Sequence, residues 1–258
     1  MSPGGAAFDL TGRTALVTGS SRGIGRRLAA GLAEAGATVV VHGRDPDTAQ
    51  ATADVIAHAT SNPVHAAAFD VTDEADVDAG LRRIEDAIGV PDILVNNAGM
   101  QRRAPLTEFS VADWDTLLAT NLTSAFLVSK RVSSGMISRG SGRIVNIGSV
   151  QSQLARPNIT PYAATKGGIV MLTKGLCAEL APHGITANAL APGYFSTELT
   201  RALVEDEAFS AWVAARTPAG RWGDIDDLVG PLIFLASDAS RFVNGQVLYV
   251  DGGMTAVV

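Results

Sequence analysis

Thr18-Gly19-Ser20-Ser21-Arg22-Gly23-Ile24-Gly25 is the stretch that decides how this chain is read. It follows a short β-branched run, Thr14 to Thr18, and opens an amphipathic run, Ile24 to Ala35. Glycines in such a strand-to-helix turn permit a tight bend and a close approach of backbone to phosphate. The helix start adds free N–H groups and the positive end of a dipole, both suited to an anion. An ordinary strand–helix turn would account for a glycine-rich loop alone. Its place between the first strand and the first helix is what points to a dinucleotide.

Outward from that loop, short apolar runs alternate with longer amphipathic ones. Strands are predicted over Thr38 to His42, Val64 to Phe69, Ile93 to Asn96, Arg143 to Ile147, Ile185 to Ala189 and Gln246 to Val250. Helices are predicted over Asp47 to Ala59, Glu74 to Ile88, Val111 to Ile137 and Tyr162 to Leu180. Repeated strand–helix–strand units imply an α/β fold: a single-domain, Rossmann-like, doubly wound parallel sheet with helices on both faces. No long linker or repeat interrupts it, so residues 1–258 read as one domain. The segment Tyr194 to Asp226 breaks the rhythm, with one helix-like piece from Glu198 to Ala215, and reads as a substrate lid over about 194–226.

Composition excludes several classes. The net charge of −6 argues against nucleic acid as a partner, because phosphate binding needs a basic surface. One cysteine, Cys177 in an apolar helical run, leaves no internal disulfide and reads as a core residue. His42, His58, His65 and His183 are scattered, so no metal site is expected. Met1 to Leu10 lacks the basic-then-apolar pattern of a secretory signal, and no apolar run is long enough for a membrane span. The expectation is a cytoplasmic protein. Charged residues make up only 18% of the chain, which suggests extra buried surface such as subunit contacts.

A second constellation carries chemistry. Tyr162 and Lys166 are four residues apart in a helical run and face the same way. Ser149 follows the apolar run Arg143 to Ile147, placing its hydroxyl at the strand end where open parallel sheets bind ligands. Hydride transfer to a ketone builds negative charge on oxygen, which calls for a proton donor and a hydrogen-bonding partner. Tyr162 suits the acid/base role and Ser149 the partner. An unperturbed phenol titrates near 10, and the Lys166 ammonium is expected to lower that value.

The loop spacing is Gly-x3-Gly-x-Gly and not the commoner Gly-x-Gly-x2-Gly. With the preceding threonine it resembles the short-chain dehydrogenase/reductase family. Further motifs of that family recur in order: Asp70-Val71, Asn96-Asn97-Ala98-Gly99, Asn121, Ser149, Tyr162-x3-Lys166 and Pro192-Gly193. The resemblance implies a cofactor site made of Gly19, Ser21, Arg22, Gly23, Ile24 and Gly25, then Asp70 and Val71 at the adenine, then Asn97, Ala98 and Gly99. It implies that Tyr162 and Lys166 meet the nicotinamide ribose, with Pro192, Gly193, Phe195 and Thr197 at the carboxamide end. It also implies a water-linked proton relay supported by Asn121, and a homotetramer.

Cofactor choice turns on the end of the second strand. Gly43 stands where the family's NAD-selective acid is expected, and Arg44 follows it. Arg44 and Arg22 together suit a 2′-phosphate. NADP is therefore expected; Asp45, next in line, keeps NAD as a weaker alternative.

Gln101-Arg102-Arg103, Gly148-Ser149-Val150-Gln151-Ser152, Pro192-Gly193-Tyr194-Phe195 and the run Ala202 to Phe209 resemble the branch of the family that acts at carbon 5 of gluconate. The implied reaction is reversible reduction of 5-keto-gluconate, a small-molecule sugar acid. Arg103, or else Arg102, would bind its carboxylate bidentately; Ser149, Gln151, Tyr162 and Tyr194 would meet its oxygens. The competing expectations are a ketoreductase for another polyol, sugar or 3-oxoacyl thioester, and an inactive NADP-binding scaffold. A scaffold has no need of Asn121, Ser149, Tyr162 and Lys166 together.

Overall fold

The computed structural model describes residues 6–197 and 200–258. Seven strands form one parallel sheet in the order β3-β2-β1-β4-β5-β6-β7. They are β1 Thr14–Val17, β2 Thr38–Gly43, β3 Val64–Ala68, β4 Ile93–Asn96, β5 Gly142–Ile147, β6 Ile185–Pro192 and β7 Val247–Val250. The helices are α1 Gly23–Glu34, α2 Pro46–Thr60, α3 Glu74–Ile88, α4 Val111–Leu118, α5 Ser124–Arg139, α6 Thr160–Leu180, α7 Arg201–Val204, α8 Glu207–Arg216 and α9 Val229–Ala236. Among the described residues no helix is long and apolar enough to cross a membrane.

Both faces of the sheet are covered, which is why the strands read as continuous apolar runs and not as alternating ones. Val39 and Val41 of β2 join one core with Leu28 and Leu32 of α1, while Val40 joins the other with Leu81 of α3 and Val128 of α5. A fully buried leucine such as Leu94 contributes about 2–5 kcal/mol against alanine. Strand order reverses between β1 and β4, so the turns after these two strands diverge to opposite faces and leave a crevice.

Local chemistry sets the helix starts. Asp45 accepts from the Thr48 N–H at 2.7 Å, Pro46 occupies the first turn of α2, and Asp73 caps α3 from the Asp76 N–H at 2.9 Å. Two predicted helices are divided. The run Val111 to Ile137 is interrupted by a π-helical turn, Ala119–Thr123, between α4 and α5. The predicted piece Glu198 to Ala215 is two helices, because Asp206 caps α8 from the Phe209 N–H and restarts the chain after α7. Its predicted start at Glu198 lies outside the described residues. The short buried helix α9, Val229–Ala236, is an element the sequence pattern does not single out.

Candidate active site

The crevice floor is the turn after β1, held from two sides. From the β4 side, Asn97 donates through Nδ2 to the carbonyls of Thr18 and Gly19, at 2.9 and 3.0 Å. The Thr18 hydroxyl in turn accepts the N–H groups of Asn97 and Ala98. Gly19 sits at φ +62°, where a Cβ would come within 2.8 Å of the Ala98 Cα, so only glycine fits. From the β2 side, His42 Nδ1 accepts the Gly19 N–H at 3.0 Å. Asn97 and Ala98 thus brace the loop.

Beyond the loop, Arg22 is the N-cap of α1, yet no side chain caps that helix. The leading N–H groups from Gly23 and Ile24 onward therefore stay available to an anion. Arg22 and Arg44 are exposed, and neither has an ion-pair partner among the described residues. Asp45 is occupied: its carboxylate holds the Thr48 N–H and hydroxyl, which keep it below the usual carboxylate range. Gly43 packs against Ser21, where a Cβ would lie 3.1 Å from the serine Oγ. Asp70 is held by the Thr72 N–H and hydroxyl, and Val71 is buried beneath it. At the far end, Pro192 closes β6 and the Gly193 N–H bonds the Val250 carbonyl. The Phe195 side chain lies in the core, and the Thr197 hydroxyl pairs with that of Thr200 at 3.0 Å.

The reacting groups converge from β5 and α6. Ser149 follows β5 and caps a short turn, accepting the Gln151 N–H at 3.1 Å. That acceptance leaves its own proton free, and the Ser149 hydroxyl lies close enough to the Tyr162 phenol to lower its pKa. Lys166, buried, donates from Nζ to the Ile147 carbonyl at 2.7 Å and stands 5.7 Å from the centre of the Tyr162 ring.

Burial pushes the Tyr162 pKa up; the Ser149 hydroxyl and the Arg103 guanidinium pull it back. Burial also pulls the Lys166 pKa down, to about 8.

Asn121 lies in the π-helical turn and is buried. Its Oδ1 accepts the Met100 N–H at 2.8 Å and its Nδ2 donates to the Met100 carbonyl at 2.9 Å. A third bond, at 3.3 Å from Nδ2, reaches the Thr165 hydroxyl next to Lys166. The side chain therefore joins α6 to the segment that carries Arg102 and Arg103.

These two arginines part company. Arg102 pairs with Asp113 at 2.9 Å on the surface. Arg103 bonds Gln101 at 3.0 Å and feels Tyr162, Tyr194 and a further cation, Arg156. Arg156 is the functional candidate that sequence reading misses; it stands in an irregular stretch between Ser149 and Tyr162 with no motif around it. Tyr194 anchors the segment above: Phe209, Trp212 and Trp222 surround it with ring centres 5.7, 5.6 and 5.8 Å away. Edge-to-face packing of this kind adds about 0.5–1.5 kcal/mol per pair beyond area burial. A cavity of about 200 Å³ lies under this segment, lined in part by Tyr194, Phe195, Thr217 and Val250.

Comparison with known proteins agrees with this geometry. The family model described as enoyl-(acyl carrier protein) reductase matches residues 19–255. The gluconate 5-dehydrogenase of Gluconobacter oxydans (strain 621H) is 54% identical, covering 96% of this chain and 96% of the relative. The 5-keto-D-gluconate 5-reductase of Escherichia coli (strain K12) is 50% identical over 97% and 98%. A crystal structure of a gluconate 5-dehydrogenase from Burkholderia cenocepacia J2315 in complex with NADP and tartrate superposes with a TM-score of 0.96. It is 56% identical and covers 99% of this chain and 100% of that one. With the loop of Gly-x3-Gly-x-Gly spacing at the crevice and Ser149, Tyr162 and Lys166 gathered beside it, the chain belongs to the short-chain dehydrogenase/reductase family of oxidoreductases.

Proposed function

We propose that this enzyme interconverts gluconate and 5-keto-gluconate with NADP, Tyr162 moving the proton. The observation that carries the reading is the convergence of Ser149, Tyr162 and Arg103 on one spot, an acid/base pair beside an unneutralised cation. Relatives at 50–54% identity over nearly the whole chain carry this activity in their names.

The residues fit the cofactor. Arg22 and Arg44 suit the 2′-phosphate, and the uncapped start of α1, with Ser21, Gly23, Ile24 and Gly25, suits the pyrophosphate. Asp70 and Val71 would meet the adenine; Asn97, Ala98 and Gly99 would flank the ribose. Lys166 keeps two N–H donors beyond its bond to Ile147 for the nicotinamide ribose. Pro192, Gly193, Phe195 and Thr197 would meet the carboxamide end through backbone or hydroxyl groups. When bound, NADPH supplies the hydride.

In reduction, the Ser149 hydroxyl donates to the substrate carbonyl oxygen and the Tyr162 phenol protonates it as charge develops. In oxidation, the phenolate takes the hydroxyl proton back. Asn121 holds α6 and the Met100 backbone at the spacing this needs. Residues 194–226 act as the substrate lid within a single domain. Exposed Phe126 on α5 and Met171 on α6 support a homotetramer packed through these helices, and a cytoplasmic setting suits a small metabolite as substrate.

Initial-rate oxidation of NADPH with 5-keto-gluconate, beside NADH and other keto-sugars, tests the proposal. Fast, selective turnover is the expected result. Activity on another ketone but not on this one would keep the reductase and discard the substrate.

A further inference from the structure

We propose that Arg156 is a second anchor for the substrate carboxylate, placed opposite Arg103 across the mouth of the site. The inference rests on the sugar-acid reading above and adds a specificity-determining residue to it.

The loop that carries Arg156 runs from the Ser149 turn to the start of α6. It is tied to the arginine-bearing segment after β4, because the Ala104 N–H bonds the Asn158 carbonyl at 3.3 Å. The Arg156 guanidinium carbon stands 5.5 Å from the centre of the Phe209 ring, and Phe209 packs on Tyr194. Arg156 therefore spans from the catalytic turn to the lid. A guanidinium laid over an aromatic face is held by it while its N–H edge stays free for hydrogen bonding.

That edge is unsatisfied. Among the described residues, Arg156 Nε is buried with no hydrogen-bond partner, and so are Tyr194 Oη and Gln151 Oε1. Arg156 lies close enough to the Tyr194 phenol to influence its titration, yet the two do not meet in hydrogen-bonding geometry. Buried polar atoms are normally paired, so Arg156 Nε and Tyr194 Oη, orphaned and near one another, mark a place for a polar ligand. Gln151 and Tyr194 offer hydroxyl partners; Arg156 offers only donors.

The charges identify the ligand. Burial is the larger cost of keeping Arg103 charged, and repulsion from Arg156 adds to it. Arg102 has Asp113 to neutralise it, whereas neither Arg103 nor Arg156 is ion-paired among the described residues. A carboxylate between the two guanidinium groups removes the repulsion and supplies acceptors for both. An uncharged ketose gains nothing comparable.

The test uses Arg156→Met, which keeps the stem and removes the charge, and Arg156→Lys, which keeps a charge without the planar fork. We expect Arg156→Met to raise KM for 5-keto-gluconate about 10- to 100-fold, the loss of a charged hydrogen bond, with kcat changed far less. Calorimetric titration of gluconate into the NADP-loaded enzyme should weaken in parallel, while KM for uncharged fructose and the affinity for NADPH stay constant. Arg156→Lys should recover part of the loss. An unchanged KM and gluconate affinity in Arg156→Met would overturn the proposal, as would equal losses on charged and uncharged ketoses. Gluconate binding without turnover of 5-keto-gluconate would discard the substrate assignment; loss of that binding in Arg156→Met would still uphold Arg156 as the anchor.

Discussion

His42 Nδ1 accepts the Gly19 N–H at 3.0 Å, and its Nε2 lies 3.0 Å from the Phe69 carbonyl. The first bond makes Nδ1 an acceptor, so Nε2 carries the proton and the ring is neutral. Burial pulls its pKa down to about 4. Below an unfolded value near 6.5 the unfolded chain binds this proton and the folded one does not, so stability falls as pH drops from 6.5 toward 4. At about 1.4 kcal/mol per unit, the whole fall is roughly 3 kcal/mol. Urea unfolding of wild type and His42→Gln at pH 7.5 and 5 checks this. The gap between them should shrink at the lower pH; a constant gap would show that His42 does not titrate in this way.

Tyr162→Phe should cut turnover by about 10²–10⁴-fold while NADPH still binds, since it removes only the transferable proton. Because burial raises the phenol and Arg103 lowers it, alcohol oxidation should climb through the alkaline range. In Arg103→Met that climb should move to higher pH. A rise at the same pH in both proteins would take Arg103 out of the balance.

Asn121→Ala leaves both polar groups of the Met100 backbone without partners. Each lost bond costs about 1–3 kcal/mol when a buried group is stranded. The expected outcome is a melting temperature lower by several degrees and a raised KM for the ketone, because Arg103 sits three residues beyond the loosened point. An unchanged melting temperature would refute the bracing role.

Arg44→Ala should weaken NADPH about tenfold or more, as expected for a lost charged hydrogen bond, and NADH far less. Arg22→Ala should act in the same direction. Fluorescence titration with both nucleotides checks the pair. Equal losses for NADH and NADPH would mean that neither arginine meets the 2′-phosphate.

Much of this architecture was legible because its signals are local. Strand positions follow from apolar runs buried on both faces, and the glycine loop and Tyr162-x3-Lys166 declare themselves by spacing. Features made by tertiary contact were not. The π-helical turn at Ala119–Thr123 leaves the amphipathic pattern of Val111 to Ile137 intact, so only Asn121, a poor helix former, hints at it. Helix α9, Val229–Ala236, is apolar nearly all round and begins beside Gly230 and Pro231, so no stripe reveals it. Arg156 has no sequence signature; its role depends on Phe209, more than fifty residues away, coming to lie beneath it. The pairing of Arg102, and not Arg103, with Asp113 on α4 is likewise a tertiary contact that no local signal announces.

The Asp45 cap bears on how this enzyme could drift in evolution. The acid beside Arg44 is committed to the first turn of α2, so a small loop shift cannot recruit it to the ribose hydroxyls that NAD exposes. A switch would need a new acid at position 43, and its Cβ would crowd Ser21 at 3.1 Å. An acid at 43 is therefore admitted only if the Ser21 side chain gives way by a few tenths of an ångström, so the serine of the phosphate loop and the residue that chooses the nucleotide are sterically coupled.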